Sequence, residues 1–387
     1  MIPRTAAIAA ALLAAAGAAR AAESACVPPG SWIVPGSASR SLQPPEFPGS
    51  LSKRRVVLLG ETHDNAEHHR WQLQTLAALH ALRPGLVLGF ESFPRRSQPA
   101  LERWTAGALS ESEFLVATDW RNVWGIDPQL YLPLFHFARM NRLPMLALNV
   151  DKETTRAVRE KGFDALEPAR REGVTRPAAP AQKYVDFLYP VFAEHERSPD
   201  KKPDRESVEF RRFVESQTTW DRAMAQAIVE ALAARPGALV VGVMGRHHVA
   251  HGYGVPHQLA DLGVRDAAVL LPWDQDAGCA ELVAGLADAV FGVSQMKSET
   301  PRPRLGVTLE QAKGGVRIAS VAKASVAEAA GLREGDVVVQ IAGRPARQPG
   351  DVADAVARQA PGTWLPLRVQ RTGAALDLVA KFPPLAN

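Results

Sequence analysis

Cysteine is scarce: two in 387 residues are too few for a disulfide scaffold or a four-cysteine zinc site. Excess charge of one sign is lacking too. Lys and Arg number 45 against 41 Asp and Glu, a net charge of +4 with no long block of either sign. That removes the basic stripe on which nucleic-acid binding depends, so no nucleic-acid partner is expected. No repeat of fixed period is visible, and past the first 22 residues no run reaches the about 20 apolar residues of a membrane span. What is present is ordinary globular composition, 46% hydrophobic and 22% charged. The length exceeds one typical domain and predicts two.

Residues 1–22 read as a secretory leader. Arg4 precedes an apolar run from Ala6 to Gly17, and small residues close it at Ala19-Arg20-Ala21. No twin Arg precedes the run, which points to general secretion and a periplasmic or secreted protein. Cys26 follows Glu23-Ser24-Ala25, which lacks the Leu that lipid attachment requires, so no lipid anchor is expected there. In an oxidising compartment Cys26 and Cys279 have the option of a bridge; two free thiols are the alternative.

The remainder divides into an N-terminal extension (23–50), an α/β domain (51–297), a polar, Pro-punctuated linker (298–303) and a β-rich module (304–385). Within 51–297, Arg55–Gly60, Gly85–Phe90, Pro144–Leu148 and Ala238–Met244 are short, continuous apolar runs. Helical patterns over Ala66–Leu82 and Glu209–Ala234 alternate with them. Such runs predict a mostly parallel sheet flanked by helices. The strand-poor stretches 98–137 and 154–234 predict a helical insertion.

Each apolar run delivers polar chemistry at its carboxyl end: Gly60-Glu61-Thr62-His63-Asp64, Phe90-Glu91-Ser92 and Gly245-Arg246-His247-His248, with His251 and Tyr253 close behind. Parallel strands bring such ends together, and open α/β sheets bind ligands at that edge. Glu61 and His63, two apart in an extended segment, point the same way. Glu61, His63, Glu91 and His248, with His247 as a further candidate, suit a divalent metal with an open position or an acid–base pair. Each group alone has a bland role as well. Glu61 has the option of capping a helix, Glu91 of pairing with Arg95 or Arg96, and of His68 and His69 one faces the cleft while the other is solvated. Recurrence at three strand ends is what points to a site.

These residues carry a resemblance. Gly60-Glu61-Thr62-His63-Asp64-Asn65 with His68, His69 and Gln72 resembles the opening motif of the ChaN-like haem-binding uptake family, within the Tiki, TraB and erythromycin-esterase-like superfamily. Glu91-Ser92-Phe93, Asp119-Trp120 with Trp124-Gly125 and Tyr131, Ala147-Leu148-Asn149, Gln217 with Trp220-Asp221, and Gly245 to Pro256 are similar to its later motifs. The resemblance implies an exported haem-binding, iron-uptake protein; its superfamily implies, alternatively, a metal-dependent hydrolase (protease or esterase) using Glu61, His63, Glu91 and His248. The closing-loop histidine falls on His248. Haem ligation is weakly marked, with Tyr253 and His251 as the candidates, and Trp120, Trp124 and Phe135 offer walls.

From Arg304 the chain resembles a PDZ domain of the HtrA-associated kind, β-rich with two helices. Leu305-Gly306-Val307 matches its carboxylate-binding loop, Ser325 to Gly343 its long signature, and Asp351–Gln359 its groove helix. The resemblance implies that a protein C-terminus or extended peptide adds as a strand to the sheet edge. The partners expected are therefore haem, or a small-molecule or peptide ligand, at the first domain and a peptide at the second.

Overall fold

The computed structural model describes residues 26–36, 41–42, 46–195, 204–294 and 303–384. The leader and residues 298–302 of the linker lie outside them. The chain divides into two units, Met1–Gln295 and Met296–Asn387.

The first unit is built on eight strands: β1 Trp32–Ile33, β2 Ser41–Leu42, β3 Val56–Glu61, β4 Leu86–Pro94, β5 Met145–Asn149, β6 Leu239–Gly245, β7 Ala267–Asp274 and β8 Ala289–Val293. They lie in the order β2-β1-β8-β7-β3-β6-β4-β5. The six from β8 to β5 are parallel, and β1 closes antiparallel on β8. Helices cover both faces, which is why β3, β4 and β6 are buried along their whole length and read as unbroken apolar runs.

Strand alternation sorts these residues into two cores. Val57 and Leu59 of β3, Leu88 and Phe90 of β4, and Val241 and Val243 of β6 face one layer, with helix residues Leu76, Leu134 and Phe135. Val56, Leu58, Val87, Val240 and Met244 face the other, against Met224, Ala225 and Ile228 of the long helix Val208–Ala234. Two satellite cores serve the helical segments. One joins Val158, Phe163 and Ala223, and the other packs Tyr184 and Leu188 against Phe210 and Phe213.

The helix Ala66–Leu82 starts where Asn65 accepts the N–H groups of Glu67 and His68. Its inward stripe changes character along its length. His69 and Gln72 lie at the sheet edge, and Leu76 and Leu79 deeper in the layer.

The second unit carries β9 Val307–Ala312, β10 Gly315–Val321, β11 Val337–Ile341, β12 Arg344–Pro345, β13 Trp364–Arg371 and β14 Ala374–Lys381. The sheet runs β14-β13-β11-β10-β9, with β12 on β11, and helices at Val326–Ala329 and Pro349–Ala357 complete it. Val316, Ile318, Val338, Leu365 and Val369 form its core. Arg371 grips the buried Asp336 through two N–H groups at 2.7 and 2.8 Å and donates to the Gly331 carbonyl, locking the turn between Gly331 and Asp336. The fold is thus a mostly parallel α/β sheet flanked by helices, followed by a small β-rich unit with two helices, as the sequence predicts.

A disulfide joins Cys26 to Cys279 across 253 residues of sequence, pinning the segment that pairs with β8 at Gly292. Replacing Cys26 with Ser is expected to cost about 2–5 kcal/mol in chemical denaturation. A wild-type chain that titrates two free thiols would contradict the bridge.

Candidate functional site

At the carboxyl edge of the sheet the alternation described above decides which groups meet. Glu61 continues the series Val57, Leu59 and faces the first layer, whereas Glu91 continues the series from Val87 and faces the second. The two acids therefore occupy opposite sides of one sheet edge, each with its own histidine.

Glu61 is buried and accepts three hydrogen bonds. Tyr131 O–H donates to Oε1 at 2.5 Å and His63 Nδ1 at 2.9 Å; Gln72 Nε2 donates to Oε2 at 2.8 Å, and His69 Nδ1 lies 3.4 Å from that oxygen, beyond hydrogen-bond length. Burial and the Glu61 charge push the Tyr131 phenol far above its ordinary range, so it stays protonated and donating. The other nitrogen of His69 donates to the His63 carbonyl at 2.9 Å, fixing the loop that carries His63.

Glu91, equally buried, accepts the Gly245 N–H at 2.6 Å through Oε2, while Oε1 has no hydrogen-bond partner among the described residues. His248 Nε2 lies 3.4 Å from that oxygen, a distance for charge attraction rather than a hydrogen bond. On its other side His248 Nδ1 donates to Asp221 Oδ1 at 2.6 Å, and Tyr184 O–H donates to Asp221 Oδ2 at 2.6 Å. Burial works against the His248 cation, but Glu91 and Asp221 overcome it and lift its pKa to about 10. Burial likewise opposes the Glu91 charge, yet His248, His63 and the Gly245 N–H bring it to about 2. Asp221, where burial prevails, is raised. A buried imidazolium thus sits between two acids.

His63 links the halves. It leans over Gly245, where a Cβ would lie 2.9 Å from its Cε1, and packs edge-on to Trp124 at 4.7 Å. Burial lowers its pKa, but the Glu61 hydrogen bond and the charges of Glu91 and Glu61 prevail and raise it. With its side chain 35% exposed, it is the most accessible of the four expected residues. A cleft of about 160 Å³ opens beside this edge between Trp124, Asn149 and Trp220.

The four expected residues are thus drawn to one edge but tied to their own partners. Among the described residues, no group of three or more His, Cys, Asp and Glu is arranged to hold a metal ion. His68 and His69 are both buried, contrary to the expectation that one is solvated. His68 accepts the Thr62 N–H and donates to Asp274 at 3.1 Å. Asn65 caps the helix rather than Glu61, and Glu91 pairs with His248 rather than Arg95 or Arg96.

Among the described residues His247, His251 and Tyr253 make no hydrogen bond to this network; they lie around the ring of Phe187 at 5.6, 5.6 and 6.0 Å, with Tyr253 6.2 Å from Tyr184. His251 sits at φ 58°, a left-handed conformation, and its N–H is bonded to Leu286. Lost hydration, with Arg246 and His248 nearby, lowers His247 to about 4; the same burial and Arg246 lower His251. Both imidazoles are therefore neutral near pH 7. In the second unit, Leu305 is buried, Val307 half-buried, and Gly306 holds φ +84° with its α-carbon turned against Ser325.

Asp221 and Tyr131 entered only through the motifs of the resemblance and without a role at this edge, and Tyr184 not at all, yet each has a sequence signal. Asp221 shares the stripe of Met224, Ala225 and Ile228, an acid on an apolar helix face. Tyr131 shares the stripe of Leu134, Phe135 and Ala138, and Tyr184 that of Leu188, so each reads as core until its hydroxyl is traced.

The family model for haem-binding uptake, Tiki superfamily, ChaN matches residues 48–259, and a PDZ domain model matches residues 303–381. No curated protein matches the chain. Among solved structures, ChaN of Campylobacter jejuni with cofacially bound haem is 18% identical, with 67% of this chain and 95% of that chain covered and a TM-score of 0.51, a likeness of fold. The serine endoprotease from Yersinia pestis is 26% identical over 22% of this chain and 30% of that one, with a TM-score of 0.20. The HtrA3 PDZ domain bound to a phage-derived ligand is 22% identical over 20% and 83%, with a TM-score of 0.19.

Replacing His248 with Ala leaves Glu91 and Asp221 buried without their cation, and a loss of about 3–5 kcal/mol is expected in urea denaturation. The pH dependence follows from the direction of each shift. The raised His248 contributes fully below its ordinary 6.5 and loses its contribution as pH rises toward 10. The lowered Glu91 contributes fully above its ordinary 4.5 and loses its contribution as pH falls toward 2. The stability gap between wild type and variant is therefore widest near pH 5–6 and narrows in alkali. A gap that widens with rising pH would contradict the buried cation.

Proposed function

As the chain belongs to the ChaN family of haem-binding uptake proteins in the Tiki superfamily, we propose that its first unit binds haem, that its PDZ domain binds the C-terminus of a protein partner, and that it acts outside the cytoplasm. The observation that carries the haem reading is the segment 246–253. It sets two neutral imidazoles and a phenol around one aromatic ring at a half-exposed surface. Haem iron takes an imidazole nitrogen or a phenol oxygen as axial ligand, and its macrocycle needs an apolar wall. The residues present fit both needs. His247 and His251 hold a nitrogen free of its second proton, Phe187 supplies the wall, and the Leu286 carbonyl keeps His251 in its conformation. Bound haem supplies the coordinating iron centre and is the cargo.

Two features favour binding over a metal-dependent hydrolase at Glu61, His63, Glu91 and His248. Glu61 already accepts hydrogen bonds from Tyr131, His63 and Gln72, and the flanking Glu91 and Asp221 favour the protonated form of His248, whereas a general base must be neutral. The Cys26–Cys279 bridge supports export, since such bonds persist in oxidising compartments. For the second unit, β9 ends the sheet and follows directly on Leu305-Gly306, the arrangement that strand addition uses.

Titrating the full chain with haemin is expected to give a saturable Soret shift. His251→Ala and His247→Ala are each expected to weaken it by at least the about 10–100-fold that outer partners of a metal ligand are worth. No saturable shift in the wild type would overturn the reading. At the PDZ domain, Gly306→Val adds a Cβ that would meet Ser325 at 2.4 Å. Fluorescence anisotropy is expected to show lost binding of peptides with a free apolar C-terminus, and retained binding would contradict the groove assignment.

A further inference from the structure

The guanidinium of Arg246 lies over the ring of Trp273, 5.9 Å from its centroid, and borders a cleft of about 260 Å³ walled by Trp273, Asp274, Gly278, Ala280 and Glu281. Among the described residues its one ion pair is with Glu281 at 4.0 Å, beyond hydrogen-bond length, and the Glu281 side chain is 78% exposed. The Trp273 indole N–H in the same wall is buried without an acceptor. An arginine stacked on an indole ring, whose one ion-pair partner is a solvated acid beyond hydrogen-bond length, keeps its N–H groups for an oxyanion. Asp274 shares the cleft, but its Oδ1 is taken by His68 and Asn65. Arg246 directly precedes His247, so the cleft it borders adjoins the segment that carries the imidazoles.

We propose that this cleft is a carboxylate subsite: Arg246 anchors a propionate of the tetrapyrrole whose iron meets the 246–253 segment, displacing Glu281. The assignment rests on the haem reading above. It gives a role to the wall that carries Glu281, which begins at the disulfide-bonded Cys279. A planar ligand held at its centre by an imidazole and at its rim by a guanidinium is fixed in rotation as well as position.

Haemin and haemin dimethyl ester, titrated into the full chain and followed at the Soret band, separate the possibilities. Wild type is expected to bind haemin at least about tenfold more tightly than the ester, the usual worth of a charge-assisted hydrogen bond. Arg246→Gln is expected to bind the two forms equally, and Arg246→Lys to restore part of the difference. Equal affinity of wild type for acid and ester, or full discrimination in Arg246→Gln, would overturn the subsite while leaving haem binding intact. The wild-type comparison needs no variant to fold. No saturable shift with either form would remove the haem reading, and the subsite with it.

Discussion

His248, a buried imidazolium between Asp221 and Glu91, is the constraint on which the rest of the sheet edge depends. It joins three elements that share no local sequence: the loop after β6, the end of β4 and the middle of the long helix Val208–Ala234. Removing either acid leaves a buried cation, and removing the cation leaves two facing carboxylates, so the three persist together. Through the Gly245 N–H on Glu91, the same charge balance sets where β6 ends and His63 begins to lean across it. The chemistry of this edge is spent on internal order. His247, His251 and Tyr253, on either side of His248 in sequence, reach the surface.

That division of labour explains why two histidines adjacent in sequence behave oppositely. His248 is enclosed by carboxylates and held charged. His247 faces Arg246 and the His248 cation and is held neutral. A neutral imidazole offers a lone pair to a metal centre, and a charged one does not. The same strand end therefore makes a structural cation and a candidate ligand within two residues.

Much of this was legible in the sequence. Apolar runs ending in Glu61, Glu91 and His248 placed these groups at one sheet edge, and the apolar periodicity of Ala66–Leu82 marked the helix, though not Asn65 as its cap. The strands β7 and β8 were not read. Pro272 demotes the first as a strand pattern, and Ala289–Val293 is short and interrupted by Gly292. The opposite facing of Glu61 and Glu91 was also hidden. A strand buried on both sides is apolar at every position, so its sequence carries no sign of which parity faces which layer. The partners that settle it, Tyr131 and Asp221, lie on helix stripes that read as core.

The central claim is that His247, His251 and Tyr253, not the buried Glu/His network, receive the haem. Its most direct test is a stoichiometric haemin titration of the full chain beside a chain with both His247 and His251 replaced by Ala. The account predicts a saturable Soret band in the first and only the spectrum of free haemin in the second. A band of undiminished affinity in the double variant would contradict it and move the site elsewhere on the fold.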